Sequence, residues 1–184
     1  MLELMPVRRA DGARNAARIV SAARQLIDER GSDLVLDEVA RRAGVGSPTL
    51  YRNFPARPDL LAVVYQDEAN ELIGLATELL DAPDAGTALF AWLDSFADHV
   101  GSLPPLALAV TGCTPEHPGP IFERWYAALS VAATGLLDRA QDSGAVRTGI
   151  DATGLLALVG TIAVLDPRHY QFRPMELIRG GLTT

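Results

Sequence analysis

The chain has 184 residues, 48% of them apolar and 6% aromatic, with 16 basic and 23 acidic residues and a net charge of −7. That length fits one large domain or two small ones, and that apolar fraction supports a buried core and excludes a disordered chain. The single cysteine, Cys113, excludes an internal disulfide framework, and plentiful Ala and Leu with few Val/Ile runs points to an all-α protein. The total charge hides an asymmetry. Residues 1–57 hold ten arginines against seven acids, a net +3, whereas residues 58–184 hold six against sixteen, a net −10. A basic head on an acidic body is the balance of a nucleic-acid-binding module joined to a part with another task. No lysine occurs, so every positive side chain is an arginine, able to fork onto phosphates and guanine edges. The first residues lack the apolar core of a signal peptide, and the longest apolar stretch, residues 154–165, is too short to span a bilayer. No membrane partner is expected, and the cytoplasm is the expected location.

In chain order, residues 11–30 read as a helix. Ile19, Ala22, Ala23, Leu26 and Ile27 share one face, Arg14, Arg18 and Arg24 lie off it, and Gly31 stops it. A short helix over residues 36–43 has Leu36, Val39, Ala40 and Ala43 as its apolar side, and Gly44-Val45-Gly46 breaks it. Ser47 as N-cap and Pro48 as first helical residue open a third helix, which ends before Pro55. One long amphipathic helix is then expected over residues 57–80, closed by the turn at 81–84. Helices follow over residues 85–100, 106–111, 121–142 (capped by Gly144), 151–165 and 174–179.

The first three helices have the marks of a helix-turn-helix, in which a second helix enters the major groove, braced by the first across a tight turn. Val39, Ala40, Val45 and Leu50 supply the apolar lock and Gly44 the turn. Ser47, Thr49, Tyr51, Arg52 and Asn53 form the outward polar set. Arg52 and Asn53 have the chemistry to read base edges, Thr49 to touch a thymine methyl or a phosphate, and Tyr51 to bond a phosphate. Phe54 reads as core.

Residues 14–64 resemble the N-terminal domain of TetR-family regulators. The resemblance rests on the Ala22-Ala23-Arg24 run with Leu26-Ile27, on Asp37-Glu38-Val39-Ala40 with Ala43-Gly44-Val45, and above all on residues 49–55, Thr-Leu-Tyr-Arg-Asn-Phe-Pro, followed by Arg57 and Asp59-Leu60-Leu61. It implies a three-helix DNA-binding domain over residues 8–56 and a helical ligand-binding and dimerisation domain over residues 57–184. It also implies that Thr49, Tyr51 and Arg52 face double-stranded DNA, and that Arg57 meets a phosphate where the family usually has lysine. Two positions depart from the pattern. Val35-Leu36 stand where a capping Thr or Ser usually begins the second helix, and Gly46-Ser47-Pro48 replaces the common Ser-Lys-Gly.

Beyond residue 64 the resemblance thins. Residues 136–147, with Ile150-Asp151 and Leu155-Leu156, are similar to an SbtR-like branch of the family. The last two long helices are expected to form a homodimer face, with Leu155, Leu158, Val159, Ile162 and Leu165 divided between that face and the monomer core. For an unidentified small-molecule effector, the candidate pocket residues are Trp92, Phe96, His99, Leu103, Phe122, Trp125, Tyr126 and Leu129, an aromatic set with few polar groups. Cys113, Glu116 and His117 lie together, but a structural zinc needs about four ligands, so neither metal nor cofactor is expected. No catalytic set appears. The reading is a ligand-responsive repressor that binds a palindromic site as a dimer; the alternative is a helical small-molecule-binding protein whose head no longer binds DNA.

Overall fold

The computed structural model describes residues 5–30, 34–102, 119–163 and 174–183, in which the regular elements are α-helices and the one strand-like feature is an isolated bridge between Val146 and Thr183. The helices are α1 (Met5–Arg30), α2 (Leu36–Ala43), α3 (Ser47–Asn53), α4 (Arg57–Val64), α5 (Gln66–Leu79), α6 (Ala85–Ser102), α7 (Pro120–Asp142), α8 (Ala152–Ala163) and α9 (Pro174–Leu182). Among the described residues no helix is long and apolar enough to cross a membrane. The expected helix at 106–111, the candidates Leu103, Cys113, Glu116 and His117, and Leu165 fall outside the described residues.

Two compact units emerge, one of Met1–Tyr65 with Pro115–Glu123, the other of Gln66–Thr114 with Arg124–Thr184. In the first, α1 packs on α2, α3 and α4, and α2 on α3. Ile19, Ala23, Val39, Leu50, Leu60 and Leu61 fill its centre, and Phe54 is buried with them, as its sequence position implies. In the second, α6 packs on α5 and α8, and α8 on α9. Trp92, Leu93, Phe96, Leu129, Leu136 and Leu156 form its core.

Helices α6 and α9 run two and three residues past their expected ends, to Ser102 and Leu182, and three further boundaries differ from the sequence expectation. Helix α1 begins six residues earlier, because Pro6 falls in the first turn, where no backbone N–H is needed. Helix α3 has Gly46, not Ser47, as its N-cap. The Gly46 carbonyl accepts from Thr49 N–H at 2.8 Å and Leu50 N–H at 3.2 Å, which frees the Ser47 hydroxyl to donate to Asp37 at 3.2 Å and tie α3 to α2. The long helix expected over residues 57–80 is two helices, broken at Tyr65. There the Arg24 guanidinium donates to the Val64 carbonyl at 2.7 Å, a tertiary bond at the point where the helical ladder stops.

Helix ends in the second unit are closed both by local bonds and by one tertiary contact. α7 closes at Gly144 with a paired motif, Gly144 N–H on the Gln141 carbonyl and Ala145 N–H on the Ala140 carbonyl, both at 3.0 Å. The last carbonyls of the α5 end, Leu79 and Ala82, take bonds from the Arg139 guanidinium of α7. At the α6 start the Asp84 carboxylate accepts from Thr87 N–H at 2.6 Å.

Those bonds from Thr87 hold the Asp84 carboxyl below the usual aspartate range. A carboxyl depressed by folding adds stability that is complete above its unfolded value, about 3.9, and disappears as pH falls through the lower folded value. Thermal unfolding followed by circular dichroism should therefore show Asp84→Ala melting below the wild type at pH 7, with the two curves converging as the pH is taken below 4.

Candidate nucleic-acid interface

At 3.6 residues per turn, each step along α3 rotates the side chain by about 100°. Leu50 points inward and is wholly buried, so Pro48 and Arg52 stand on the opposite side, with Tyr51 on one flank and Thr49 and Asn53 on the other. Exposure follows that wheel. Arg52 is exposed and Tyr51 is 46% exposed, a large value for an aromatic side chain, while Ser47, Thr49 and Asn53 are half-buried. The structure thus brings the expected polar set together on one short helix but grades it. Ser47 is engaged with Asp37, and the Asn53 amide donates to the Thr49 carbonyl one turn back at 2.7 Å. Among the described residues no ion pair engages Arg52. Arg57 opens α4 half-buried.

The turn before α3 is closed from both sides. Gly44 adopts φ 62°, ψ 39°, and its own N–H and that of Val45 satisfy the last carbonyls of α2. The Arg18 guanidinium lies over this turn and donates to the Gly44 carbonyl at 3.3 Å. A methyl group at residue 44 would sit 2.6 Å from the Arg18 Nη2, which a shift of that long side chain relieves, so glycine is required for its backbone conformation. The other end of α2 is less finished. Val35 is its N-cap, 57% exposed, with no side-chain bond to the first turn. The loss of the usual capping residue, visible in the sequence, is real in the fold.

Most head arginines outside α3 serve the head itself. Arg42 forks onto Glu29 at 2.7 and 2.8 Å, and Arg30 and Arg41 share Glu38 at 2.6 and 3.2 Å, so α1 and α2 are bound by paired charges. The Arg42 bond and charge hold the Glu29 carboxyl below its usual range and raise the Arg42 guanidinium. These pairs are exposed, so each is screened by salt. Sequence reading credited the +3 of this segment to DNA contact. The positions of the charges show a second use, which no one-dimensional count reveals.

The candidate effector residues fall into two groups. Trp92 and Phe96 are buried in the second unit with their rings stacked at 5.6 Å, and the Trp92 indole donates to the Leu72 carbonyl at 2.8 Å. Leu129 is also wholly buried. His99 and Tyr126 are only half-buried. The His99 Nδ1 lies 2.8 Å from the Ser95 carbonyl, and its Nε2 is 3.7 Å from a Glu71 carboxylate oxygen. Burial, and secondarily the charge of Asp151, pushes the Tyr126 phenol up from its ordinary value. Trp125 is buried as well, and so is Phe122, which belongs to the first unit. A separate cleft of about 520 Å³ in the second unit is lined by Asp94, Asp98, Glu176 and Arg179, with Arg179 bonded to Asp94 at 2.9 Å and set 4.5 Å over the Phe90 ring. Among the described residues no group of three or more His, Cys, Asp or Glu converges as a metal site.

A tight glycine turn and a short exposed recognition helix on a helical body define a helix-turn-helix regulator. Residues 19–64 match the family model for bacterial regulatory proteins of the TetR family, and residues 84–183 match that for the C-terminal domain of SbtR-like transcriptional regulators. An uncharacterized HTH-type transcriptional regulator of Mycobacterium tuberculosis is 34% identical over 157 residues, covering 83% of this chain and 80% of the relative. A TetR transcriptional regulator of Streptomyces coelicolor is 31% identical in sequence and superposes with a TM-score of 0.55, over 91% of this chain and 98% of its own. An ArpA-like gamma-butyrolactone receptor is 25% identical with a TM-score of 0.51, covering 94% and 90%. The chain belongs to the TetR family of transcriptional regulators.

Replacing Gly44 by alanine forces a side chain into the left-handed region, at a cost of roughly 1–2 kcal/mol. It also displaces Arg18. Urea denaturation should show Gly44→Ala destabilised by at least about that amount, with little change in helical content of the folded state.

Proposed function

We propose that this chain is a ligand-responsive repressor that binds a palindromic duplex as a homodimer through α3 and is released by a small molecule. The observation that carries this reading is the exposed edge of α3, where Arg52 and Tyr51 project from a helix that Leu50 anchors in the core. Arg52 suits a guanine edge and Tyr51 a phosphate; Thr49 and Asn53 sit at the margin of the same face, and Ser47 and Arg57 flank it. Family membership supports regulation by DNA binding, and the gamma-butyrolactone receptor supports a small-molecule effector by analogy. Within the second unit, His99 and Tyr126 are the preferred effector contacts, because they are half-buried, whereas Trp92, Phe96, Trp125 and Leu129 are buried in the core.

A dimer follows from the symmetry of such sites, since two recognition helices about 34–36 Å apart read one half-site each. Helices α7 and α8 carry the face for it. On α8, Leu155 and Val159 are buried within the chain, whereas Leu158 is 50% exposed with Gly154 and Thr161 beside it. On α7, Val131 is 74% exposed, with Ala127 and Thr134 on the same stripe. Small and apolar exposed residues of this kind suit close helix packing between protomers.

The deciding experiment titrates the full chain with duplex DNA from its own upstream region across a salt series. Specific binding that weakens steeply with salt is expected. A well-folded dimer that binds no such duplex specifically at any salt would favour a small-molecule-binding protein with a silent head and overturn the proposal. Arg52→Ala should cost about 1–3 kcal/mol of binding or relax preference at one base pair, whereas uniform weakening over all sequences would make Arg52 a phosphate contact. Leu158→Glu should convert the dimer to monomer in sedimentation velocity while leaving helicity unchanged.

A further inference from the structure

Asp59 is the charged side chain that the fold buries completely among the described residues. A buried carboxylate is expensive unless hydrogen bonds replace its water, and here three backbone N–H groups do so. Its Oδ1 accepts from Ile121 and Phe122 N–H, both at 2.9 Å, in the first turn of α7. Its Oδ2 accepts from Ala56 N–H at 3.3 Å, at the start of its own helix α4. One carboxylate therefore caps two helices, each presenting a positive end to it. Gly119 makes the approach possible. A methyl group there would lie 2.6 Å from the Asp59 Cγ and closer still to Oδ2, a distance no real contact allows.

We infer that Asp59 and Gly119 form a joint through which the first turn of α7 controls the order of the DNA-binding head. The inference rests on the DNA-binding reading above. Residues 119–123 belong to the same compact unit as α1 to α4, and α7 itself runs on to Asp142 in the second unit. If its first turn withdraws, Asp59 loses two of the three backbone donors it has among the described residues, a costly loss for a buried carboxylate, so the joint favours being fully made or fully broken. The far end of α4 is also held, by Arg24 of α1 on the Val64 carbonyl at 2.7 Å. Helix α4 is thereby bonded at one end to α7 and at the other to α1, and α1 packs on α2 and α3. A disturbance at residues 119–122 then reaches the recognition helix through bonded contacts rather than being absorbed in a loop. In this role Asp59 is a positioning residue and touches no DNA.

The test compares full-length wild type with Gly119→Ala, Asp59→Asn and the control Asp84→Asn, which weakens an exposed cap of the same chemistry on α6. Amide hydrogen exchange at residues 121 and 122, helicity, and affinity for the operator duplex are measured on each. Gly119→Ala should speed exchange at both amides at least tenfold and weaken operator binding at least tenfold, with helicity kept. Asp59→Asn retains an acceptor for α7 but sets an amide N–H against that of Ala56, and should give a smaller loss of the same sign; it carries the test if Gly119→Ala fails to fold. Asp84→Asn should leave affinity within twofold. Faster exchange with affinity held within twofold reduces Asp59 to a local cap and overturns the inference, as does unchanged exchange or an equal loss in the control. Absence of specific binding by the wild type overturns the DNA-binding reading and the joint with it, and is distinguished by needing no variant to be seen.

Discussion

A helix of seven residues has no stability of its own in water, because nucleating a turn costs more than so few bonds return. The recognition helix α3 has that length, and so its existence depends on tertiary contact. Leu50 supplies it, at zero exposure in the seam between α3 and the two helices before it. The turn at Gly44 sets the angle at which that leucine arrives, and the Arg18 guanidinium over the turn holds it there. Everything proposed for DNA contact, from the outward direction of Arg52 to the exposure of Tyr51, follows from this one buried leucine and one left-handed glycine. A reader helix built this way is stiff only while its support is intact.

Charge in the head has two layers. The inner layer is structural: Arg24 on a helix end, Arg18 on a turn, and the Arg42–Glu29 and Arg30–Glu38–Arg41 pairs between α1 and α2. The outer layer is Arg52, without a partner among the described residues. Arginine suits both because its planar fork bonds a carboxylate or two carbonyls as readily as a base edge. High salt weakens these exposed pairs, so part of the salt sensitivity proposed for DNA binding would arise inside the protein.

The helical class, the turn at Gly44, the burial of Phe54 and the end of α7 at Gly144 were legible in the sequence, because periodicity, glycine and proline act locally. The outward set on α3 was legible too, as a list. Its grading was not, since the engagement of Ser47 by Asp37 depends on how α2 meets α3. The break at Tyr65 had no local signal at all, for it accompanies a bond from Arg24, forty residues earlier. Asp59 looked like an ordinary acid in a first helical turn; its partner Ile121, in the first turn of a second helix, lies 62 residues later in the chain. The aromatic residues of the body were equally ambiguous, as spacing along a helix does not tell a core ring such as Trp92 from one at a cavity wall. Leu155 and Leu158 show the same limit, three residues apart yet one buried and one half exposed.

The bond from the Trp92 indole to the Leu72 carbonyl has an optical consequence. The chain has two tryptophans, and both Trp92 and Trp125 belong to the second unit, shielded from water. Excited at the red edge, where tyrosine does not absorb, the protein emits only from its body. Its intrinsic fluorescence is thus a built-in gauge of the second unit, read through Trp92 in α6 and Trp125 in α7.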